Sequence, residues 1–199
     1  LAALLAEREK TPPMLTYAII TYNRSRFLAK SLESVLQQAG NDALVEVLVS
    51  DNASTDDTRS LVGGLQKRYR NLRYHCNEQN IGAEGNVHVA MRESRGEYVI
   101  VAGDDDYLVD GTLYSLIDLM YQYRGYALFY RVWSDDPSAK KVYTGSGCLN
   151  YLALLRCGIT LLSTIAMRRE LYDAIEEPHK YDATRIPQVY LQMEILKQK

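Results

Sequence analysis

Cysteine is scarce in this chain. Its 199 residues hold three, Cys76, Cys148 and Cys157. Their odd number and the lack of a C-x-x-C spacing exclude a disulfide framework and a thiolate zinc site, and fit reduced thiols in a cytosolic setting. An excess of either charge is also missing. Lys and Arg total 23 against 25 Asp and Glu, a formal net charge of -2, so no broad electrostatic surface for nucleic acid arises. No apolar run approaches the length of a membrane span, and the N-terminus lacks a secretory pattern. Internal repeats and low-complexity tracts are absent too. The length suits one domain with a substantial core. Leu1 stands where an initiator Met would, and the chain stops inside a helical pattern at Lys199. Both ends therefore predict a piece of a longer protein.

The stretch that organises the chain is Gly96 to Tyr107. Tyr98 to Ala102 is a short apolar run with β-branched Val99, Ile100 and Val101, as suits a parallel strand buried on both faces. It leads through Gly103 into Asp104, Asp105 and Asp106. Three adjacent carboxylates repel one another, and a divalent cation with a preference for hard oxygen ligands removes that cost. Open α/β sheets bind ligands outside the carboxyl ends of their strands, where this triplet falls. An isolated Asp triplet would read better as a solvated turn; the strand before it and the segments upstream favour a site.

In chain order, Leu1 to Lys10 predicts a helix or linker closed by Pro12 and Pro13. Leu15 to Thr21 is a strand, and a turn follows into a helix capped by Ser25, carrying Phe27, Leu28, Leu32, Val35 and Leu36 on one side and stopping near Gly40. Leu44 to Ser50 is a second strand with Asp51 one step beyond it. Ser54 to Asp57 reads as a capping box, with Asp56 and Asp57 as cap and dipole residues. Leu72 to Cys76 is a third strand and Ala83 to Ser94 a helix. After the Asp triplet, Asp110 is expected to cap a helix to about Arg124. Strict alternation predicts a parallel doubly wound sheet. Beyond Gly125 the pattern loosens: strands over 126–133 and 141–144 about a turn at 135–138, a helix over 147–156, a strand over 162–167, a helix over 168–175, a loop and a last helix over 189–197.

Three stretches together resemble glycosyltransferase family 2, of the GT-A fold. They are Tyr17 to Arg24, with its Thr-Tyr-Asn-Arg turn; Val45 to Thr58, with its Asp-x-x-Ser-x-Asp segment; and Asn80-Ile-Gly82, Gly85-Asn86 and Arg95 to Tyr98 running into the Asp triplet. The similarity covers about Met14 to Leu113. It implies a Rossmann-like, mostly parallel α/β sheet flanked by helices, with residues 14–124 as the nucleotide-sugar half and 125–199 as a smaller α+β acceptor-side half after a linker over 1–13.

By that resemblance Thr21, Tyr22 and Arg24 line the nucleotide, and Asp51 accepts a hydrogen bond from a base imide N–H, as in uracil or thymine. Asn80 and Gly82 lie near the ribose, where a small residue permits close approach, although a helix-entry turn explains both as well. The family's Asp-x-Asp site is displaced: its first Asp falls on Gly103, so that a ribose hydroxyl contact is either lost or shifted to Asp104 in the variable place, and Asp105, supported by Asp104 and Asp106, takes the metal. The implied cofactor is Mn²⁺ or Mg²⁺. The implied reaction moves a sugar from a nucleoside-diphosphate sugar to a glycan or lipid-linked acceptor, by inversion, with room for peripheral membrane association through further segments. The family's downstream Glu-Asp pair, which supplies the base, is absent from Tyr181 to Val189. Asp182 is the best candidate there, followed by Glu177 and His179, and a solvated loop residue is the simpler reading of each. A nucleotidyltransferase would want a Gly-rich loop after the first strand, and Thr21 to Arg26 has no glycine. A non-catalytic module binding nucleotide or glycan stays open, because of Gly103 and the missing base. The tyrosines number 16; spacing places Tyr114 and Tyr121 in the core, and only Tyr107 beside the site.

Overall fold

The computed structural model describes residues 11–130, 151, 162–184 and 186–198. The strand expected over 141–144, the end of the one over 126–133, the turn at 135–138, the helix over 147–156 save residue 151, and the segment 1–10 lie outside the described residues. Strands β1 (Leu15–Thr21), β2 (Val45–Asp51), β3 (Leu72–Cys76) and β4 (Tyr98–Gly103) are parallel, in the order β3-β2-β1-β4. Successive side chains of a strand point to opposite faces, and here both faces are dry. Leu15, Tyr17 and Ile19 enter one apolar cluster with Val45, Val47 and Val49, while Ala18, Leu48, Val99 and Val101 enter another. This is why these strands read as near-continuous apolar runs.

Helices α1 (Ser25–Ala39) and α2 (Thr58–Gln66) cover the first face, and α3 (Gly82–Glu93) covers the second through Val87, Ala90 and Met91. Helix α4 (Thr112–Gln122) returns to the first face with Leu113, Ile117 and Met120. That stripe leaves Tyr114 and Tyr121 outside, exposed, against the core placement expected from their spacing. Phe27 is likewise turned out of the α1 stripe and lies under the Arg24 guanidinium, 4.5 Å from ring centroid to Cζ. One close approach requires glycine. A Cβ on Gly96 would meet the backbone nitrogen of Thr16 at 2.4 Å, and the Gly96 N–H donates to Thr16 Oγ1 at 2.8 Å.

The sheet is mostly parallel, as the resemblance implies, and its antiparallel part lies in the second half. Strands β5 (Leu128–Tyr130) and β6 (Ile165–Arg168) extend the sheet as β4-β6-β5, and β6 is antiparallel to both neighbours. An antiparallel neighbour can be laid down without the crossover helix a parallel one demands. Leu162–Thr164, expected as strand, is a 3-10 turn that delivers the chain into β6. Helices α5 (Arg169–Asp173) and α6 (Pro187–Lys197) then close the second face with Leu171, Tyr172, Leu191 and Ile195. Among the described residues no helix is long and apolar enough to cross a membrane.

Candidate functional site

Because β1 to β4 are parallel, the loops after them meet at one edge of the sheet. The loops after β1 and β2 are stitched together. Asn23, in left-handed conformation at φ 54°, donates its N–H to Ser54 Oγ and accepts the Thr55 N–H on Oδ1. Asp56 accepts the N–H of Ser25 at 2.9 Å and those of Thr58, N–H and hydroxyl. Two expected caps are thereby corrected. Ser25 opens α1 without capping it by its side chain, and Ser54 to Asp57 is no reciprocal capping box: Ser54 bonds the β1 loop, Asp56 bonds both that loop and Thr58 at the start of α2, and Asp57 holds the cap position without a side-chain bond. Asp110 does not cap α4 either: Gly111 holds that position at φ 73°. Burial tends to raise the Asp56 pKa, but the bonds from Thr58 and Ser25 outweigh it and hold the carboxyl at about 2, against 3.8 ordinarily. A depressed carboxylate contributes stability that is present above the unfolded value and lost as pH falls through the folded one. The wild type should therefore lose stability between about pH 4 and about pH 2 more steeply than Asp56→Asn, compared by urea midpoints at each pH.

Ala53 is strained at φ 65°, a conformation costing an L-residue about 1–2 kcal/mol. It places Ser54 so that its N–H donates to Asp51 Oδ1 at 2.9 Å, while the Tyr74 hydroxyl donates to Oδ2. Asp51 is the last residue of β2, not one step past it, and is completely buried. Its oxygens keep acceptor capacity, but with no exposed surface it can meet a nucleobase only where the residues covering it move aside. Burial, and then the bond to Asp51, raise the Tyr74 pKa. Asn52, which the sequence did not single out, ties the β2 and β3 loops together. Its amide donates to Asn80 Oδ1 at 2.8 Å and to the Gly82 carbonyl, and its Oδ1 accepts from Asn77 and from the Ile81 N–H. Asn80 and Gly82 thus sit in a loop braced from within, with Gly82 at φ 81°.

The Asp triplet divides. Asp104 is buried; its carboxylate accepts from Thr21 Oγ1 at 2.7 Å and faces Arg24 Nε at 3.1 Å. Asp105 is exposed and meets Arg24 Nη2 at 2.9 Å. Asp106 turns back and accepts the Gly103 N–H, closing the turn. A Cβ at 103 would lie 3.0 Å from an Asp105 oxygen and 3.3 Å from an Asp106 oxygen, so another aspartate there would crowd two carboxylates. Burial raises the Asp104 pKa, with Thr21 and Arg24 opposing it. Arg24, whose own pKa is raised chiefly by Asp105, is the cation on which Asp104 and Asp105 converge. Tyr22 and Tyr107, each two residues along the chain from Arg24 or Asp105, are both exposed.

Asp182 belongs to a different group. Its Oδ1 lies 2.8 Å from His88 Nε2 and its Oδ2 2.9 Å from His179 Nδ1. Burial alone would raise its pKa, but the bonds from His179 and His88 hold it below the usual carboxylate range. Glu177 pairs with Lys180 at 2.9 Å.

This sheet, its order and its loop edge are those of the GT-A transferases. The TarS protein of Staphylococcus aureus, solved as residues 1–349 in complex with UDP, superposes with a TM-score of 0.69 at 21% identity, over 92% of this chain and 54% of that one. A mannosyltransferase from Pyrobaculum calidifontis, solved with GDP-Man and Mn²⁺, superposes with a TM-score of 0.63 at 19% identity, over 94% of this chain and 53% of that one. The family model described as Glycosyl transferase family 2 matches residues 16–175, and the chain belongs to that family. A Campylobacter jejuni protein named GalNAc(5)-diNAcBac-PP-undecaprenol beta-1,3-glucosyltransferase is 32% identical over 138 residues, 68% of this chain and 43% of that protein. The abequosyltransferase RfbV of Salmonella typhimurium is 26% identical over 206 residues, 92% of this chain and 61% of that protein. The chain thus spans about half the length of these relatives.

Proposed function

We propose that the chain binds a nucleoside-diphosphate sugar, with a uridine or thymidine base, and passes its sugar with inversion to a glycan or lipid-linked acceptor. The observation that carries this reading is the convergence of Asp104 and Asp105, from the end of β4, on a single cation at the loop edge. Arg24 pairs with both carboxylates, which supports their sharing a positive charge; Asp106 is committed to its turn. Asp105 with Asp104 would hold Mn²⁺ or Mg²⁺, both of which favour carboxylate oxygens. Such an ion neutralises charge developing on the leaving diphosphate. The residues around it position the donor. Thr21 fixes Asp104, the Asn23–Ser54 stitch sets the wall beside Tyr22, and Asn52 holds Asn80 and Gly82 at the third loop. With its carboxylates engaged elsewhere, the Arg24 guanidinium is available to a phosphate, which it suits by geometry. Residues 14–124 supply this donor half, and the acceptor half is assigned to the rest of the chain. The names of the relatives, a glucosyltransferase and an abequosyltransferase, support transfer over mere binding.

Calorimetric titration of UDP, dTDP and ADP with and without Mn²⁺, coupled to an assay for release of sugar from UDP-sugars, tests this. Tighter uridine or thymidine binding with Mn²⁺, together with sugar release, is expected. Binding without any turnover, in the presence of varied acceptors, would favour the non-catalytic module. Arg24→Ala offers a second test. Without metal it should cost on the order of 1 kcal/mol, as for a partly exposed ion pair, because Asp104 loses its counter-charge. With Mn²⁺ the loss should largely vanish, so the metal-induced rise in melting temperature should be larger in the variant. An equal rise in both proteins would detach Arg24 from the cation position.

A further inference from the structure

A second cluster of ligating side chains lies apart from the Asp triplet. His88, midway along α3, is 2% exposed; His179 and Asp182 come from the segment between α5 and α6, 94 residues away in sequence in the case of Asp182. The ligating atoms of all three lie within 4.8 Å of one another. The two imidazole rings stand 4.1 Å apart between centroids, and each turns one nitrogen to Asp182. The remaining nitrogen of His88, Nδ1, lies 2.9 Å from the Tyr172 hydroxyl of α5. From this geometry we infer a metal site of the two-histidine, one-carboxylate type, for an ion of the Zn²⁺ class, that joins the Pro178–Thr184 segment to α3. It goes beyond the donor reading and does not depend on it.

The donor set selects the ion. Imidazole nitrogens suit zinc and its neighbours, whereas Mg²⁺ and Mn²⁺ prefer the all-oxygen environment of Asp104 and Asp105. The buried ring is already oriented from behind: zinc-bound histidines usually give their second nitrogen to an outer partner that fixes tautomer and direction. Tyr172 can fill that role in either state, because a phenol both donates and accepts. With Nε2–H donating to Asp182, Nδ1 accepts the tyrosine O–H. With Nε2 on a metal, the proton moves to Nδ1 and the tyrosine oxygen accepts it. The exposed side of His179 leaves an entry path and room for a water as fourth ligand. A hydrogen-bonded brace with no affinity for metal is the competing account.

The test uses the whole chain carrying Asp105→Asn, so that the donor carboxylates contribute no competing site. Zn²⁺ is titrated calorimetrically, and Co²⁺ is added as a coloured substitute. One equivalent of Zn²⁺ should bind, with visible Co²⁺ bands of a four-coordinate N/O site. His179→Ala, a change at an exposed residue, should lower the affinity by more than about tenfold, and Tyr172→Phe by about 10–100-fold, as for other outer partners. No Zn²⁺ uptake, or uptake indifferent to both His179→Ala and Asp182→Asn, would overturn the site and leave the brace. Uptake present in wild type and abolished by Asp105→Asn alone would place the zinc at the donor carboxylates and equally overturn it.

Discussion

With Mn²⁺ saturating, Asp105→Ala is expected to bind uridine diphosphate about 10–100-fold more weakly than wild type, the equivalent of losing one charged contact of about 1.5–3 kcal/mol. Without metal the two proteins should bind alike. The difference arises because Asp105 is 55% exposed on its side chain and, among the described residues, its one ion pair is with Arg24. Its removal therefore costs the fold little, and whatever affinity disappears belongs to the cation. Asp104 could not be used this way. It is 5% exposed on its side chain and holds both Thr21 and Arg24, so its replacement would disturb the β1 and β4 loop ends together. Titration calorimetry on Asp105→Ala decides the matter. Equal affinities at saturating Mn²⁺ would remove Asp105 from the metal.

Asp51→Ala should be the costliest single change at the loop edge, lowering stability by about 2–4 kcal/mol when two hydrogen-bonded partners lose their acceptor. The carboxylate has no exposed surface. Its loss strands the Ser54 N–H, which the strained Ala53 turn exists to present, and the Tyr74 hydroxyl at the end of β3. The loop after β2 should then release Asn23, since Ser54 and Thr55 grip it. Asp51→Asn separates structure from recognition. It keeps one acceptor oxygen for Ser54 and an amide that can donate to the tyrosine oxygen, so the fold should survive. If Asp51 reads an imide N–H, that variant loses its preference for uridine over adenosine diphosphate. A preference unchanged from wild type would make Asp51 a structural residue alone. Urea denaturation and competitive nucleotide titration give the two readings separately.

Much of the donor half could be read from residues in order. The apolar runs at Leu15, Val45 and Tyr98 announce strands buried on both sides, and the stripe through Leu28 to Leu36 announces a helix laid on them, whereas the spacing of Tyr114 and Tyr121 points to the wrong face of α4. Glycine at 40 marks a helix end, and the Asp triplet after Tyr98 to Ala102 marks the loop edge. These are local signals, because period, cap and turn chemistry act over a few residues. Local order along the chain therefore specifies the alternating α/β framework and the edge at which the loops gather.

Tertiary structure decided which side chain answers which. Nothing in Thr-Tyr-Asn-Arg says that Arg24 will straddle Asp104 and Asp105, or in Ser-Thr-Asp-Asp that Asp56 will serve α1. The burial of Asp51 beneath Tyr74, the Asn52 brace and the meeting of His88 with Asp182 are equally silent in the chain. So is the antiparallel entry of β6. Each depends on strand order and on segments distant in sequence being packed to within hydrogen-bond reach, where a few tenths of an ångström select the partner. A periodic pattern carries no information at that scale, since it records the face a residue occupies and not its neighbour across the fold.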